Sequence, residues 1–360
     1  MSGVKVSIIG LGLIGGSLGL ALCHSNLDLV VAGHDLDPQV MDLAVDMGCV
    51  HEVGTVEQIV DQADYVFICT PIKHIGEIVA QIGAHCKPGC IVTDVGSTKQ
   101  GIVKLFKELP SGVIGIPGHP MAGSEQQGIK GADRYLFENA VYVLTPEKGC
   151  PPEAVASLEK LVKLTGAHVI IMDPEKHDRV VATVSHLPHL VASALVSMLD
   201  GEEDATALAA SGFRDTTRIA GGDPELWTDI LMTNRQLMID RIEVFKSRLD
   251  NLQELLQVGN HQELHDFLSL ARDIRGTLPK KRKGLVPDIQ DVICIVPDQP
   301  GIIGLLGTWL GEQGVNIADI EILRVREGDG GTIRLGVASE AESVKAVDVL
   351  KEHGVKAWLR

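Results

Sequence analysis

Val6-Ser7-Ile8-Ile9-Gly10-Leu11-Gly12-Leu13-Ile14-Gly15-Gly16-Ser17 decides how the first part of the chain folds. An apolar, β-branched run leads into glycines at GxGxxG spacing, and a helix-like stretch, Leu18 to Leu22, follows. Gly10 lets the chain turn tightly off a strand, and Gly12 lets a pyrophosphate approach the backbone. Gly15 lets the helix lie close on the sheet, with its free N–H groups aimed at phosphate. Glycine-rich turns are common, so the context decides. Asp28 to Ala32 reads as a second strand running on to Asp35, twenty residues after Gly15. A carboxylate at that place takes both hydroxyls of an adenosine ribose. Turn, strand and acid together predict a dinucleotide site built from Gly10, Gly12, Leu13, Ile14, Gly15 and Asp35, with Thr70 further along.

Working outward, 360 residues suggest two or three domains, and 45% hydrophobic residues suffice for packed cores. A net charge of −16 argues against nucleic acid or an acidic membrane as partner, and 3% aromatics is too few for a base-stacking surface. The seven cysteines show no CxxC pair and read as small core residues, with no metal site implied. Met1 stands three residues ahead of the first strand, and no apolar run has the length of a membrane span. A soluble, cytoplasmic protein is expected.

Strand and helix patterns alternate through the first 173 residues. Asp37-Pro38 opens a helix that stops near Gly48. Asp64 to Cys69 is a short buried strand ending in Thr70-Pro71, Lys73 to Ile82 a helix, and Ile91 to Val95 another strand. Val113 to Ile116, Val141 to Leu144 and Val169 to Met172 read as the last strands. Such alternation implies an α/β domain with a mostly parallel sheet covered on both faces. Ligands then bind outside the carboxyl ends of the strands, where Thr70, Ser97 and His119 fall.

The pattern changes at Asp173-Pro174. Residues 174–278 carry almost no strand signal, and an apolar stripe from Trp227 to Leu256 predicts one long helix, Pro224 to about Gln257. A helical domain this apolar commonly pairs with a second copy, an intrachain bundle being the other reading. Residues 279–287, centred on Lys280 to Lys283, read as a basic, proline-punctuated linker. Residues 288–360 then show the order βαββαβ of a ferredoxin-like unit.

Four stretches occur together: the glycine turn, Asp94-Val95-Gly96-Ser97-Thr98-Lys99, Gly118-His119-Pro120-Met121-Ala122-Gly123 and Gly212-Phe213-Arg214-Asp215-Thr216-Thr217-Arg218-Ile219-Ala220. With them the chain resembles the prephenate and arogenate dehydrogenase family of tyrosine biosynthesis over almost its whole length. The resemblance implies a Rossmann-like nucleotide domain, an all-helical dimerisation domain and a homodimer. The last unit resembles an ACT domain, a module that binds amino acids, through Asp298-Gln299-Pro300-Gly301 and Asn316-Ile317.

The family reaction is an oxidative decarboxylation. Hydride leaves the ring carbon bearing the hydroxyl, and the ring carboxylate leaves as carbon dioxide. The hydroxyl needs a neutral proton acceptor, which suits histidine. The carboxylate needs a fixed cation, which suits arginine. The resemblance makes His119 the catalytic histidine and Ser97 its hydroxyl-binding partner. Read alone, Ser97 is equally a helix cap for Thr98 to Leu109. Arg218 matches the arginine gripping the substrate carboxylate, His189 a substrate-contacting histidine and Glu125 an acid near the pocket mouth. Arg214 and Asp215 match residues presented across the dimer interface, an ordinary surface pair being the alternative. His186 packs or caps. Gly221-Gly222 departs from relatives with a polar side chain there, which puts a hydrogen bond from that position in doubt.

NAD rather than NADP is the expected cofactor, because Asp35 repels a 2′-phosphate and no Arg or Lys lies between Asp35 and Val45 to neutralise one. The expected substrate is prephenate, with arogenate the alternative. The ACT-like unit implies tyrosine as inhibitor, with Asp298, Gly301, Asn316 and Ile317 as its site. A β-hydroxyacid dehydrogenase is disfavoured, since no lysine of the helical region stands in a matching motif. A non-catalytic amino-acid or NAD sensor is disfavoured because it needs no proton acceptor.

Overall fold

The computed structural model describes residues 3–124, 126–278, 290–326 and 330–359. The chain divides into two compact units, Met1–Leu278 and Pro279–Arg360.

In the first unit six strands form a wholly parallel sheet: β1 (Val4–Ile9), β2 (Leu29–His34), β3 (Glu52–Val53), β4 (Tyr65–Ile68), β5 (Ile91–Asp94) and β6 (Ile114–Gly115). Their order, β3-β2-β1-β4-β5-β6, reverses direction beside β1, where open α/β sheets leave a crevice. Val6 pairs with Val31 on one side and Tyr65 on the other. Burial on both faces explains the near-continuous apolar strands: Val6, Ile8, Val31, Val66, Phe67 and Val92 are fully buried.

Three more strands form a separate sheet: β7 (Gly118–Pro120), β8 (Val141–Leu144) and β9 (His168–Ile171), in the order β7-β8-β9. The sequence reading placed the last two in the main sheet and gave His119 no strand. The difference has a local cause. The Gly118 N–H goes to Asp94 Oδ1 at 3.1 Å, and its carbonyl accepts from Lys99 Nζ at 2.5 Å. With its backbone taken up by side chains from the end of β5, the chain leaves the first sheet and pairs antiparallel with β8, His119 opposite Val143.

Beyond Asp173 the described chain to residue 278 is helical, as expected. Asp173 caps Pro174–Val181 by accepting from the N–H groups of Glu175 and Lys176. A π turn, Ala182–His186, leads into Leu187–Ser197. The 24-residue run Pro174–Ser197 does have the length and composition to cross a membrane, which the sequence reading denied of every run. Its buried residues include His177, Asp178, His186 and His189, which suits an aqueous fold rather than lipid. The single helix expected from Pro224 to Gln257 is two, Pro224–Thr233 and Arg235–Val258. They break at Asn234 (φ −114°, ψ 22°), whose buried amide donates to the Asp178 carbonyl at 3.1 Å. A side-chain demand of the interior overrides the helical period there.

The second unit has β10 (Gln290–Val296), β11 (Asp319–Arg326), β12 (Gly330–Val337) and β13 (Lys356–Leu359) in the antiparallel order β11-β12-β10-β13, with helices Ile302–Glu312 and Glu340–Glu352. This is the ferredoxin-like order expected from sequence. Arg334 ties three strands by bonding Asp291, Asp319 and Glu321. The linker at 279–287 lies outside the described residues.

Gly10 has φ +94°, and a Cβ there would lie 2.8 Å from the Cys69 carbonyl carbon. A Cβ on Gly15 would lie 1.9 Å from the Gly10 carbonyl oxygen, whereas one on Gly12 would meet nothing within 4 Å. Gly15→Ala should therefore lower stability by about 1–3 kcal/mol through overpacking, while Gly12→Ala leaves folding intact. Urea unfolding of the two variants checks this.

Candidate active site

The parallel strands bring their carboxyl ends to one rim. Gly10 follows β1 and Asp35 follows β2, with Thr70 just past β4 and Ser97 just past β5. The helix Leu13–Cys23 starts at Gly12 with no side-chain cap, and Leu13 and Ile14 stand half-buried in its first turn. Uncapped N–H groups and the open space over Gly12 fit a pyrophosphate. Asp35 accepts from the Leu11 N–H at 2.8 Å and the Asp37 N–H at 3.1 Å. Each of its oxygens keeps acceptor capacity for a ribose hydroxyl. The buried Thr70 hydroxyl has no partner among the described residues, which also suits a ligand. The rim therefore fits a dinucleotide.

His119 lies next to this rim on β7, 7% exposed. Its Nδ1 is 2.8 Å from His177 Nε2, and His177 Nδ1 is 2.8 Å from Asp178 Oδ1. Asp178 also accepts the N–H of Lys99 at 2.8 Å and of Gln100 at 2.9 Å. Burial pushes the Asp178 carboxyl up, but these hydrogen bonds outweigh it and hold the group below its ordinary range. Beneath β7, Lys99 Nζ bonds Asp94 Oδ2 at 2.5 Å, both side chains fully buried. Burial pushes each toward its neutral form, and their attraction opposes that. Burial, reinforced by Lys99, His177 and His186, holds His119 well below the usual histidine range. A neutral imidazole is the form a proton acceptor needs.

A second cluster adjoins the first. The His189 ring stacks on Trp227 with centroids 3.6 Å apart, and His186 meets the same indole edge-on at 6.2 Å. His186 Nδ1 lies 3.3 Å from Asn234 Nδ2, which links this cluster to Asp178. Burial pushes His186 down to about 4 and also lowers His189. Both nitrogens of His189 and Nε2 of His186 are buried without a partner among the described residues. Buried polar atoms of this kind ask for a ligand.

Gly222 borders this cluster. A Cβ there would lie 2.4 Å from Trp227 Nε1 and 3.4 Å from His189 Nε2. The indole thus occupies the space that a side chain at this position would need, so the missing polar group is a packing requirement here.

Not every expected residue joins. Ser97 is half-buried, and its hydroxyl bonds no described residue. It is not the cap of the following helix, Gln100–Phe106, whose first N–H groups belong to Asp178 instead. Arg218 starts the turn Arg218–Gly221 and is exposed, as are Arg214 and Asp215 on the helix Ser211–Thr217. Glu125 lies outside the described residues. In the second unit, Asp298 and Gly301 line a cavity of about 220 Å³ with Ile302, Ile322 and Ile333. Asn316, expected to face that loop, is exposed and does not line the cavity, nor does Ile317, which packs on the core.

Sequence reading missed Asp94, Lys99, His177, Asp178, Asn234 and Trp227 as site residues. Asp94 and Lys99 bound a quoted stretch, and charges closing an apolar strand were a usable signal. His177 and Asp178 follow a proline-led helix start with nothing to set them apart locally. No group of three or more His, Cys, Asp or Glu among the described residues is arranged to hold a metal.

A nucleotide crevice beside a buried neutral histidine defines a nucleotide-dependent oxidoreductase. Residues 18–171 match the model of the prephenate dehydrogenase nucleotide-binding domain, and residues 173–270 that of the prephenate dehydrogenase dimerization domain. The chain belongs to the prephenate dehydrogenase family. It is 35% identical to prephenate dehydrogenase of Bacillus subtilis over 95% of this chain and 94% of that one. It is 38% identical to the Lactococcus lactis prephenate dehydrogenase over 97% and 98%. Among solved structures, Aquifex aeolicus prephenate dehydrogenase in complex with hydroxyphenyl propionate and NAD+ matches with TM-score 0.71 and 32% identity, over 77% of this chain and 98% of that one. Synechocystis arogenate dehydrogenase matches with TM-score 0.69 and 36% identity, over 76% and 99%.

The depressed histidines make the fold acid-sensitive. An unfolded histidine takes up a proton near pH 6.5, whereas folded His186 resists until about pH 4. Between those values the unfolded chain binds more protons, so stability falls as the pH falls. Its full contribution is present above the unfolded value. Thermal melts from pH 7 to pH 4 should show a falling midpoint, and His186→Gln should flatten that slope.

Proposed function

We propose that this protein is a prephenate dehydrogenase, oxidising prephenate with NAD to 4-hydroxyphenylpyruvate and carbon dioxide in tyrosine biosynthesis. The observation that carries this reading is His119: buried, held neutral, anchored through Nδ1 and set beside the nucleotide rim. When bound, NAD takes the hydride from the ring carbon. His119 accepts the hydroxyl proton as that carbon becomes carbonyl-like, and Ser97 holds the oxygen with its unengaged hydroxyl. The ring nitrogens of His189, without a partner among the described residues, supply polar contacts to the substrate, while stacking on Trp227 keeps that ring in place. Arg218 holds the carboxylate, and Glu125, outside the described residues, takes the role of the acid that the family resemblance assigns to it. Gly10, Gly12, Leu13, Ile14, Gly15, Asp35 and Thr70 hold the cofactor.

Arogenate is the second reading, favoured by the 36% identity to the Synechocystis arogenate dehydrogenase. NAD reduction measured separately with prephenate and arogenate decides between them. His119→Ala should lower kcat by about 10²–10⁴-fold with little change in substrate affinity. Near-normal turnover in that variant would refute the assignment. Asp35→Ser should narrow the preference for NAD over NADP, read as the ratio of kcat/KM values.

The enzyme works as a homodimer through its helical region. Ile239, Val244, Leu249, Leu256, Leu268 and Ile274 leave an apolar surface exposed on the single chain, which a second copy would cover. Arg214 and Asp215 then serve at the shared interface. The second unit is an ACT domain in which Asp298, Gly301, Asn316 and Ile317 serve tyrosine, the end product, as feedback inhibitor. The cavity beside Asp298 and Gly301 supports this, and Asn316 would have to approach it on binding. Asp298→Ala should raise the tyrosine concentration for half-inhibition while leaving uninhibited turnover unchanged, as steady-state assays would show.

A further inference from the structure

We infer that Asp178 and His177 form a positioning relay that fixes the tautomer of His119 and leaves its Nε2 as the proton acceptor. This rests on the reading of His119 as the base. Asp178 is buried, and its carboxylate accepts three hydrogen bonds, two of them from backbone N–H groups that cannot reverse. A carboxylate so engaged accepts and does not donate, so His177 Nδ1 must carry the proton between them. In the relay the lone pair of the His177 ring lies at Nε2, and His119 Nδ1, 2.8 Å away, donates to it. His119 keeps its own lone pair at Nε2. No described residue bonds that nitrogen, and it is not enclosed with the partnerless buried atoms.

The relay also answers an electrostatic problem. As the base takes its proton it becomes a cation. The groups facing it are Lys99, His177 and His186 on the π turn, and all three oppose positive charge there. Asp94 balances Lys99 and is bonded to it. The remaining carboxylate, Asp178, reaches His119 only through the His177 ring. Through that ring it stabilises the imidazolium. In the reaction the hydroxyl proton moves to His119 Nε2, and the O–H electron pair becomes the carbonyl bond as hydride departs to NAD. When carbon dioxide leaves, its bond pair enters the ring, and the oxygen takes the proton back as a phenol. The two relay protons stay on Nδ1 of each ring throughout.

Nitrogen-15 NMR of protein labelled at histidine, without cofactor or substrate, reads the tautomers directly, with His119→Ala and His177→Phe assigning the signals. The expected result is an Nδ1–H ring at both His119 and His177, the less common form in water. Asp178→Asn can donate to His177, which reverses both rings. His119 should then appear as Nε2–H, and kcat should fall on the order of 10²–10⁴-fold with KM values little changed. Asp178 also holds the backbone of Lys99 and Gln100, so a second variant is needed. His177→Phe leaves those bonds in place, and should likewise lower kcat while preserving the melting profile. An Nε2–H ring at His119 in the native protein, or a doubly protonated His177, overturns the relay. So does native turnover in both variants when His119→Ala is inactive. Native turnover in His119→Ala instead removes the base assignment itself.

Discussion

A buried carboxylate is tolerable only where fixed donors replace water, and Asp178 is the place where this chain meets that condition. Stripping an ion of its hydration costs several kcal/mol even after relaxation, so a partly satisfied Asp178 would oppose folding. Its three donors come from different parts of the chain: the Lys99 and Gln100 N–H groups at the head of one helix, and His177 on its own helix. Its backbone carbonyl adds a bond from Asn234. The head of Gln100–Phe106 gains the anion its dipole favours. Helical and nucleotide regions of the first unit are thereby locked in one geometry.

The Asp94–Lys99 pair does comparable work beneath β7. Its hydrogen bonds capture both backbone groups of Gly118 and so set the start of the strand that carries His119. His119 is therefore held from two directions, by a backbone anchored on a buried ion pair and by a ring anchored on His177. A group held this way needs little reorganisation when charge develops, which is how an enzyme lowers a barrier.

Elsewhere the site is deliberately incomplete. His186 Nε2, both ring nitrogens of His189 and the Thr70 hydroxyl are buried without a partner among the described residues. Such atoms cost stability unless a ligand satisfies them. Trp227 and Gly222 show how tightly the cluster is shaped, since a methyl group at residue 222 would displace the indole that orients His189. Arg214 and Arg218 are exposed on the single chain.

The amino-acid sequence determined what depends on local order. The parallel sheet follows from β-branched runs alternating with helix-capped stretches, and the glycine turn follows from its spacing, because Gly10 turns through a positive φ and Gly15 must approach the Gly10 carbonyl five residues back. The stretch Gly118 to Gly123 stood out in the sequence because its residues carry a recognisable family pattern. The antiparallel exit of β7, the break at Asn234 and the line from Asp178 through His177 to His119 were decided by tertiary structure. Each depends on a side chain meeting a backbone or ring group tens of residues away. Periodicity and spacing record which face of a helix or strand is apolar. They carry no record of which distant donor will satisfy a buried acid, because that partner exists only once the elements have packed.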